Sequence, residues 1–166
     1  MRNILLLVDI EEQYLTNDEF FRNLREECID TAKREMKAKY HKIIDNVKWL
    51  KDQGWEIHFT GENPPYKDLE FLIDQTLPYW AKNRMYISRY YNNLNNTNIV
   101  IGGLFRERCV YEVFQLINGA RIDMDLTISH FFIGDEENYI YDLGWRHILP
   151  EEMAFVLSES QKEKIV

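Results

Sequence analysis

Ile99-Val100-Ile101-Gly102-Gly103-Leu104-Phe105-Arg106-Glu107-Arg108-Cys109-Val110 joins an apolar run to two glycines, a charged triplet and a cysteine. The run reads as a buried strand, Gly102-Gly103 as a turn, and residues from about Arg108 to Asn118 as a helix closed by Gly119. Cys109 then lies in the first turn of that helix. Unpaired backbone N–H groups and the positive end of the helix dipole favour thiolate over thiol there, and Arg106 and Arg108 stand beside it in the chain. Two readings of Cys109 are open at this point. It is either a nucleophile or a small buried apolar residue, as free cysteines usually are.

Outward from this stretch, strands and helices alternate. Residues 4 to 9 form an apolar strand ending in Asp9, followed by a polar loop over 10 to 18. From Asn17 or Asp18, apolar residues recur every three or four positions to about Gln53, which predicts one long helix ended by Gly54. Trp55 to Thr60 alternates as a second strand, and Gly61 to Pro65 breaks the chain. Lys67 to Leu77 is expected as a short helix stopped before Pro78, and Met85-Tyr86-Ile87 as a brief strand. Asn92 to Asn98 reads as a loop or the frayed end of a short helix.

Later, Arg121 to Ser129 and Tyr139-Ile140-Tyr141 read as further strands, and Pro150 opens a last helix from Glu151. The alternation implies an α/β fold: a single doubly wound, mostly parallel sheet with helices on both faces. No repeat or linker divides the chain, so residues 1–158 are expected to form one domain and 159–166 a charged C-terminal tail.

Composition narrows the function classes. The chain has 166 residues, 45% of them hydrophobic and 14% aromatic, enough to bury roughly two thirds of the unfolded surface. Lys and Arg number 20 against 28 Asp and Glu, and the net charge of −8 disfavours general binding to nucleic acid or to an anionic membrane. The apolar run Ile4 to Val8 ends at Asp9 after five residues, too short for a signal peptide core or a membrane span. A cytoplasmic location is the resulting expectation. With only Cys28 and Cys109, no disulfide framework is expected.

In doubly wound folds, sites gather beyond the carboxyl ends of the strands. Asp9 ends one apolar strand and Cys109 follows another, so the sheet would present both to one crevice. A carboxylate next to a thiol serves as general base or proton relay in covalent acyl chemistry. The alternative for Asp9 is a carboxylate that caps a loop or the long helix.

These residues carry a resemblance. Val8-Asp9-Ile10-Glu11-Glu12-Gln13-Tyr14 resembles the opening of the isochorismatase-like cysteine hydrolases, which include nicotinamidases and other amidases. Ile99 to Val110 is similar to the nucleophile turn of that family, and Asn118-Gly119-Ala120 to the end of its helix. The similarity runs in order through roughly the first 125 residues. It implies Cys109 as nucleophile, Asp9 as its base, a cis peptide between Leu104 and Phe105, and an oxyanion hole made by the N–H groups of Phe105 and Cys109. Arg108 is the associated binding residue, and a small-molecule substrate and a homo-oligomer are implied as partners.

The chain departs from the family pattern where a catalytic lysine belongs. Lys82 and Arg89 are the candidates for that positive charge, although an arginine cannot exchange a proton as a lysine does. The triplet Arg106-Glu107-Arg108 replaces small or singly acidic residues, and would narrow the pocket mouth or select a charged ligand. His41, His58, His130 and His147 show no metal-ligand spacing, so neither metal nor cofactor is expected. The aromatic clusters Tyr79-Trp80, Tyr86, Tyr90-Tyr91 and Phe131-Phe132 are expected in the core or an interface rather than around a planar ligand.

Two other function classes compete with the hydrolase. One is a binding or sequestering protein that keeps the fold and pocket without the lysine. The other is a Mg²⁺-dependent PIN-like nuclease using Asp9, Asp123 and Asp125, with Glu11 and Glu12 near the first strand. Against the nuclease, Asp123 and Asp125 are expected on one solvent-facing side of a strand, and no phosphate-binding pattern accompanies them.

Overall fold

A computed structural model of the chain describes residues 1–16, 21 and 26–129. Its centre is a five-stranded, all-parallel sheet in the order β3-β2-β1-β4-β5. The strands are β1 (Arg2–Val8), β2 (Glu56–Thr60), β3 (Gln75–Thr76), β4 (Thr97–Leu104) and β5 (Arg121–Ile128). The helices are α1 (Gln13–Thr16), α2 (Glu26–Asp52), α3 (Arg84–Asn92) and α4 (Tyr111–Leu116). The expected α/β architecture is therefore present.

The middle strand explains its own sequence. Ile4 to Val8 are all 0% exposed, because β1 is covered on both faces, which is why it reads as an unbroken apolar run. Leu5 and Leu7 face α2, whose Ala32, Met36, Tyr40, Ile43, Ile44 and Val47 recur on one side of the helix and pack with Ile57, Phe59 and Val100. Ile4, Leu6 and Val8 face the other way. They meet Ile87 and Tyr91 of α3 and Val113 of α4, with Ile99, Ile101 and Ile122. Each fully buried aliphatic side chain contributes about 1.5–3 kcal/mol relative to exposure, so the two layers fix strand order and helix placement together.

After β1 the chain moves outward to β2 and β3, then crosses back to β4 on the opposite side of β1. The strand order reverses between β1 and β4. In an open parallel sheet that reversal leaves a crevice at the carboxyl ends of the two strands. Asp9 follows β1 and Phe105 follows β4, so both enter this crevice.

Several local expectations are corrected. Residues 67–77 are not one helix but a 3-10 turn, Glu70–Leu72, and the short strand β3. The N–H of Asp74 donates to Ile57 O (2.7 Å) and that of Leu77 to Phe59 O (2.8 Å). Asp74 also accepts the N–H of Ile57 (2.8 Å) and the Lys51 ammonium (2.8 Å), so these bonds to the sheet edge override the local helix preference of Lys67, Leu69, Glu70 and Leu72. Met85-Tyr86-Ile87 is the start of α3, not a strand. Ile87 and Tyr91 are buried four residues apart, while Met85 is 65% exposed, and a three-residue apolar run alone does not distinguish these cases.

Gly102 and Gly103 lie inside β4, not in a turn after it, and the bend follows Leu104. The expected helix from Arg108 to Asn118 is a π-helical turn, Arg106–Val110, leading into α4. Gln13–Thr16 forms a short helix within the expected polar loop. The long helix is described from Glu26. The expected strand at Tyr139-Ile140-Tyr141, the helix from Glu151, the limit of the domain at 158 and the tail 159–166 lie outside the described residues, as do His130, Phe131, Phe132 and His147. Among the described residues no helix is long and apolar enough to cross a membrane.

Candidate functional site

Asp9 is placed by the end of β1 and by its own backbone. Its N–H donates to Thr60 O (3.0 Å), and its carbonyl accepts the N–H of Glu11 (2.9 Å). With φ at 60° it turns out of the strand, a conformation that Asp and Asn tolerate better than other side chains. The carboxylate is thereby directed into the crevice and is only 3% exposed.

Two donors meet it there. The indole Nε1–H of Trp80 lies 3.3 Å from Oδ1 and 3.2 Å from Oδ2. The Cys109 thiol is hydrogen-bonded to the same carboxylate. Burial pushes Asp9 up to about 7; the Cys109 and Trp80 hydrogen bonds oppose that rise, and the charges of Glu11 and Glu62 add to it.

The thiol is also pushed well above its ordinary value, first by burial, then by the charge and hydrogen bond of Asp9 and by Glu112. The opposing influence is the Phe105 N–H, which points at the sulfur. Cys109 at neutral pH is therefore a free thiol donating to Asp9, not the thiolate that a helix start would favour. The π-helical turn and the carboxylates of Asp9 and Glu112 outweigh the effect of a helix start on this thiol. Phe105 O accepts the N–H groups of Arg108 and of Val110, both at 3.1 Å, and passes over that of Cys109 between them. The Leu104–Phe105 peptide is cis, the isomer that the resemblance implies.

The surrounding side chains hold the loops in place. Glu11 is buried, and its carboxylate accepts from Gln13 Nε2 (2.6 Å), the N–H of Glu62 (2.9 Å) and Asn63 Nδ2 (3.4 Å). It thus ties the segment after β1 to the segment after β2. Tyr14 and Tyr79 feel the charges of Asp9, Glu11 and Cys109. Burial and those charges raise both phenols, Tyr79 to about 12, so both remain neutral O–H donors beside the pair.

The candidate cations are placed elsewhere. Lys82 is exposed at the end of the 3-10 turn Trp80–Lys82, and Arg89 is exposed on α3, where it lines an open cleft with Met85, Tyr86, Tyr90 and Asn93. Neither is among the groups acting most strongly on Asp9 or Cys109. Arg106 turns to β5, with Nε donating to Thr127 Oγ1 (2.8 Å), and Glu107 is buried and accepts from Ser129 Oγ (2.7 Å). Those two residues anchor the turn rather than narrow the pocket mouth. Arg108 is half-buried next to Cys109 in the chain, and Leu104 and Phe105 are buried.

The nuclease aspartates do not assemble. Asp123 is buried, not solvent-facing, because the register of β5 against β4 shifts between Ile101 and Gly103. Its Oδ1 accepts the N–H of Asp125 (2.8 Å), and both line a cavity against α2 with Asn46, Trp49 and Trp55. Glu12 accepts the N–H of Lys67 (3.0 Å). Among the described residues no three Asp, Glu, His or Cys side chains form a group able to hold a metal ion.

Trp80, Thr60, Arg84 and Glu112 contribute to the site without a signal in the sequence. Trp80 supplies a hydrogen bond to Asp9, and Thr60 Oγ1 accepts the Trp80 backbone N–H at 3.0 Å. Arg84 lies 5.3 Å from the Trp80 ring centroid and 3.1 Å from Glu112, whose charge reaches Cys109. Residue order alone carried no signal for these, since each contact spans separate elements.

By fold and site this is an α/β protein with a buried, hydrogen-bonded carboxylate beside a half-buried thiol at the reversal point of a parallel sheet. Compared with family models, curated proteins and solved structures, the chain matches none of them.

Proposed function

We propose that the protein is a divergent isochorismatase-like hydrolase that acts through Cys109 on a small amide or related substrate. The observation that carries the reading is the Cys109 thiol set against the Asp9 carboxylate in the crevice, where each acts on the other's titration and the Trp80 indole holds the carboxylate. A base serves best when it titrates near the working pH, and Asp9 at about 7 meets that condition. The thiol need not ionise beforehand. As sulfur attacks the carbonyl carbon, its proton passes to Asp9 and the carbonyl π electrons move to oxygen.

The Phe105 N–H, which faces the sulfur, is the donor available to the oxyanion that forms beside it. One such donor contributes about 3–4 kcal/mol to a transition state. Protonated Asp9 then gives its proton to the leaving amine as the C–N bond breaks, leaving a thioester. Water attacks the thioester with Asp9 again accepting a proton, and the thiol is restored. The amide class comes from the sequence resemblance; the acyl-transfer chemistry comes from the paired groups.

A second reading is a binding protein without turnover, favoured by the carboxylates that surround Cys109 and by the exposed positions of Lys82 and Arg89. Ammonia release from a panel of small primary amides separates the two. The hydrolase reading expects EDTA-insensitive turnover that falls about 10³-fold or more in Cys109→Ala. Turnover that persists in this variant would overturn it. Amides that raise the melting temperature of both proteins without being hydrolysed would establish the binding reading instead.

A further inference from the structure

Trp80 is 3% exposed and packs with Ile87 and Val8 in the layer beneath α3. A buried indole needs only one acceptor for its N–H, and a backbone carbonyl normally suffices. Here the N–H is instead shared between both oxygens of Asp9, at 3.3 and 3.2 Å. The ring is held from two further directions. Its backbone N–H reaches Thr60 Oγ1 (3.0 Å), whose own hydroxyl donates to Pro78 O (2.8 Å), so the end of β2 fixes the residue relative to β1. On the ring face, Arg84 stacks at 5.3 Å and is paired to Glu112.

We propose that Trp80 is the positioning residue of the Asp9–Cys109 pair, its indole N–H orienting the carboxylate toward the thiol and stabilising the ionised form. This rests on the reading of Asp9 as the base for Cys109. The groups facing Asp9 show why a neutral donor matters. Glu11 from the segment after β1 and Glu62 from the segment after β2 both disfavour the carboxylate, while Cys109 and Trp80 favour it. Tyr14 and Tyr79 are neutral, and Arg84 is engaged with Glu112. Without the indole N–H, Cys109 is left as the principal hydrogen-bond donor to a carboxylate among acids.

The test is the pH dependence of Cys109 alkylation by iodoacetamide, read by mass from the Cys109 peptide so that Cys28 does not contribute. The singly ionised pair is the reactive form, so the wild-type rate should rise with a midpoint near 7. Trp80→Phe keeps an aromatic ring in the layer and removes the donor. Its midpoint should move up by about one pH unit, with a rate at pH 7 several-fold lower. Thr60→Val, which frees the Trp80 backbone, should give a smaller shift in the same direction and serves if Trp80→Phe does not fold.

An unmoved midpoint in Trp80→Phe, or in Thr60→Val where the first variant is unfolded, would overturn the role of Trp80 while leaving the pair intact. A wild-type profile without a midpoint near 7 would instead overturn the pair itself, so the two failures are distinguishable.

Discussion

Gly103→Ala is expected to abolish the folded state at room temperature, a loss exceeding about 4 kcal/mol. Gly103 has φ at 129°, outside the range that side-chain-bearing residues adopt, and it pairs with Val8 in the centre of the sheet. A Cβ there would lie 2.1 Å from Val8 O and 2.6 Å from Val8 N. Both obstacles are backbone atoms of a strand buried on both sides, so neither can move without parting β1 from β4. Gly102→Ala should cost less, about 1–3 kcal/mol, because its Cβ meets Leu126 O at 2.7 Å and Leu126 Cβ at 2.9 Å where β5 is already irregular. Gly54→Ala is the control for backbone conformation alone. It has φ at 89° with nothing within 4 Å, and should cost about 1–2 kcal/mol. Urea denaturation of the three variants checks the order, and a Gly103→Ala protein as stable as Gly54→Ala would contradict the packing described for β4.

The same glycines mark what the sequence could and could not disclose. A run such as Ile99-Val100-Ile101 announces a buried strand because its burial is a property of every residue in it. Where the strand ends is not such a property. Gly102 and Gly103 read locally as a turn, and only the approach of Val8 and Leu126 shows why glycines continue the strand. The long periodic helix and β1 were legible for the first reason, and residues 67–77 were misread for the second, since their backbone partners belong to β2.

The site divides in the same way. Asp9 and Cys109 were legible because each follows an apolar strand in a parallel fold. The state of Cys109 was not, because helix-end effects of about 0.3–1 kcal/mol are outweighed by burial, which shifts a thiol by up to about 3–5 pKa units. Trp80 was read as a core residue, and it is one; its second task depends on Thr60 and Asp9, which lie 20 and 71 positions away.

Asp9→Asn is expected to make the fold more stable at alkaline pH while removing the near-neutral reactivity of Cys109. The unfolded chain ionises Asp9 at its ordinary value of 3.8, whereas the folded protein holds the proton to about 7. Below pH 3.8 both states carry the proton and Asp9 has no effect. As pH rises from about 4 to 7 the unfolded state releases it first, so folding loses stability through that window and levels off above it. Three pKa units correspond to about 4 kcal/mol at pH 8.

An asparagine avoids the charge and suits the φ of 60°, but its NH₂ cannot accept the Trp80 or Cys109 donors as a second carboxylate oxygen does. The lost hydrogen bonds offset about half of the charge effect at every pH, so a net gain of about 2 kcal/mol at pH 8, turning into a net loss of about 1–2 kcal/mol near pH 4, is expected from urea denaturation of the two proteins. Comparing the variant with the wild type at each pH removes the contributions of Glu11, raised by burial, and of His58, lowered by it. The alkylation rate of Cys109 in Asp9→Asn should lose its rise near pH 7 and increase only at strongly alkaline pH. An Asp9→Asn protein that falls further behind wild type as pH rises from 4 to 8 would mean that Asp9 is a stabilising ion rather than a base held against its charge.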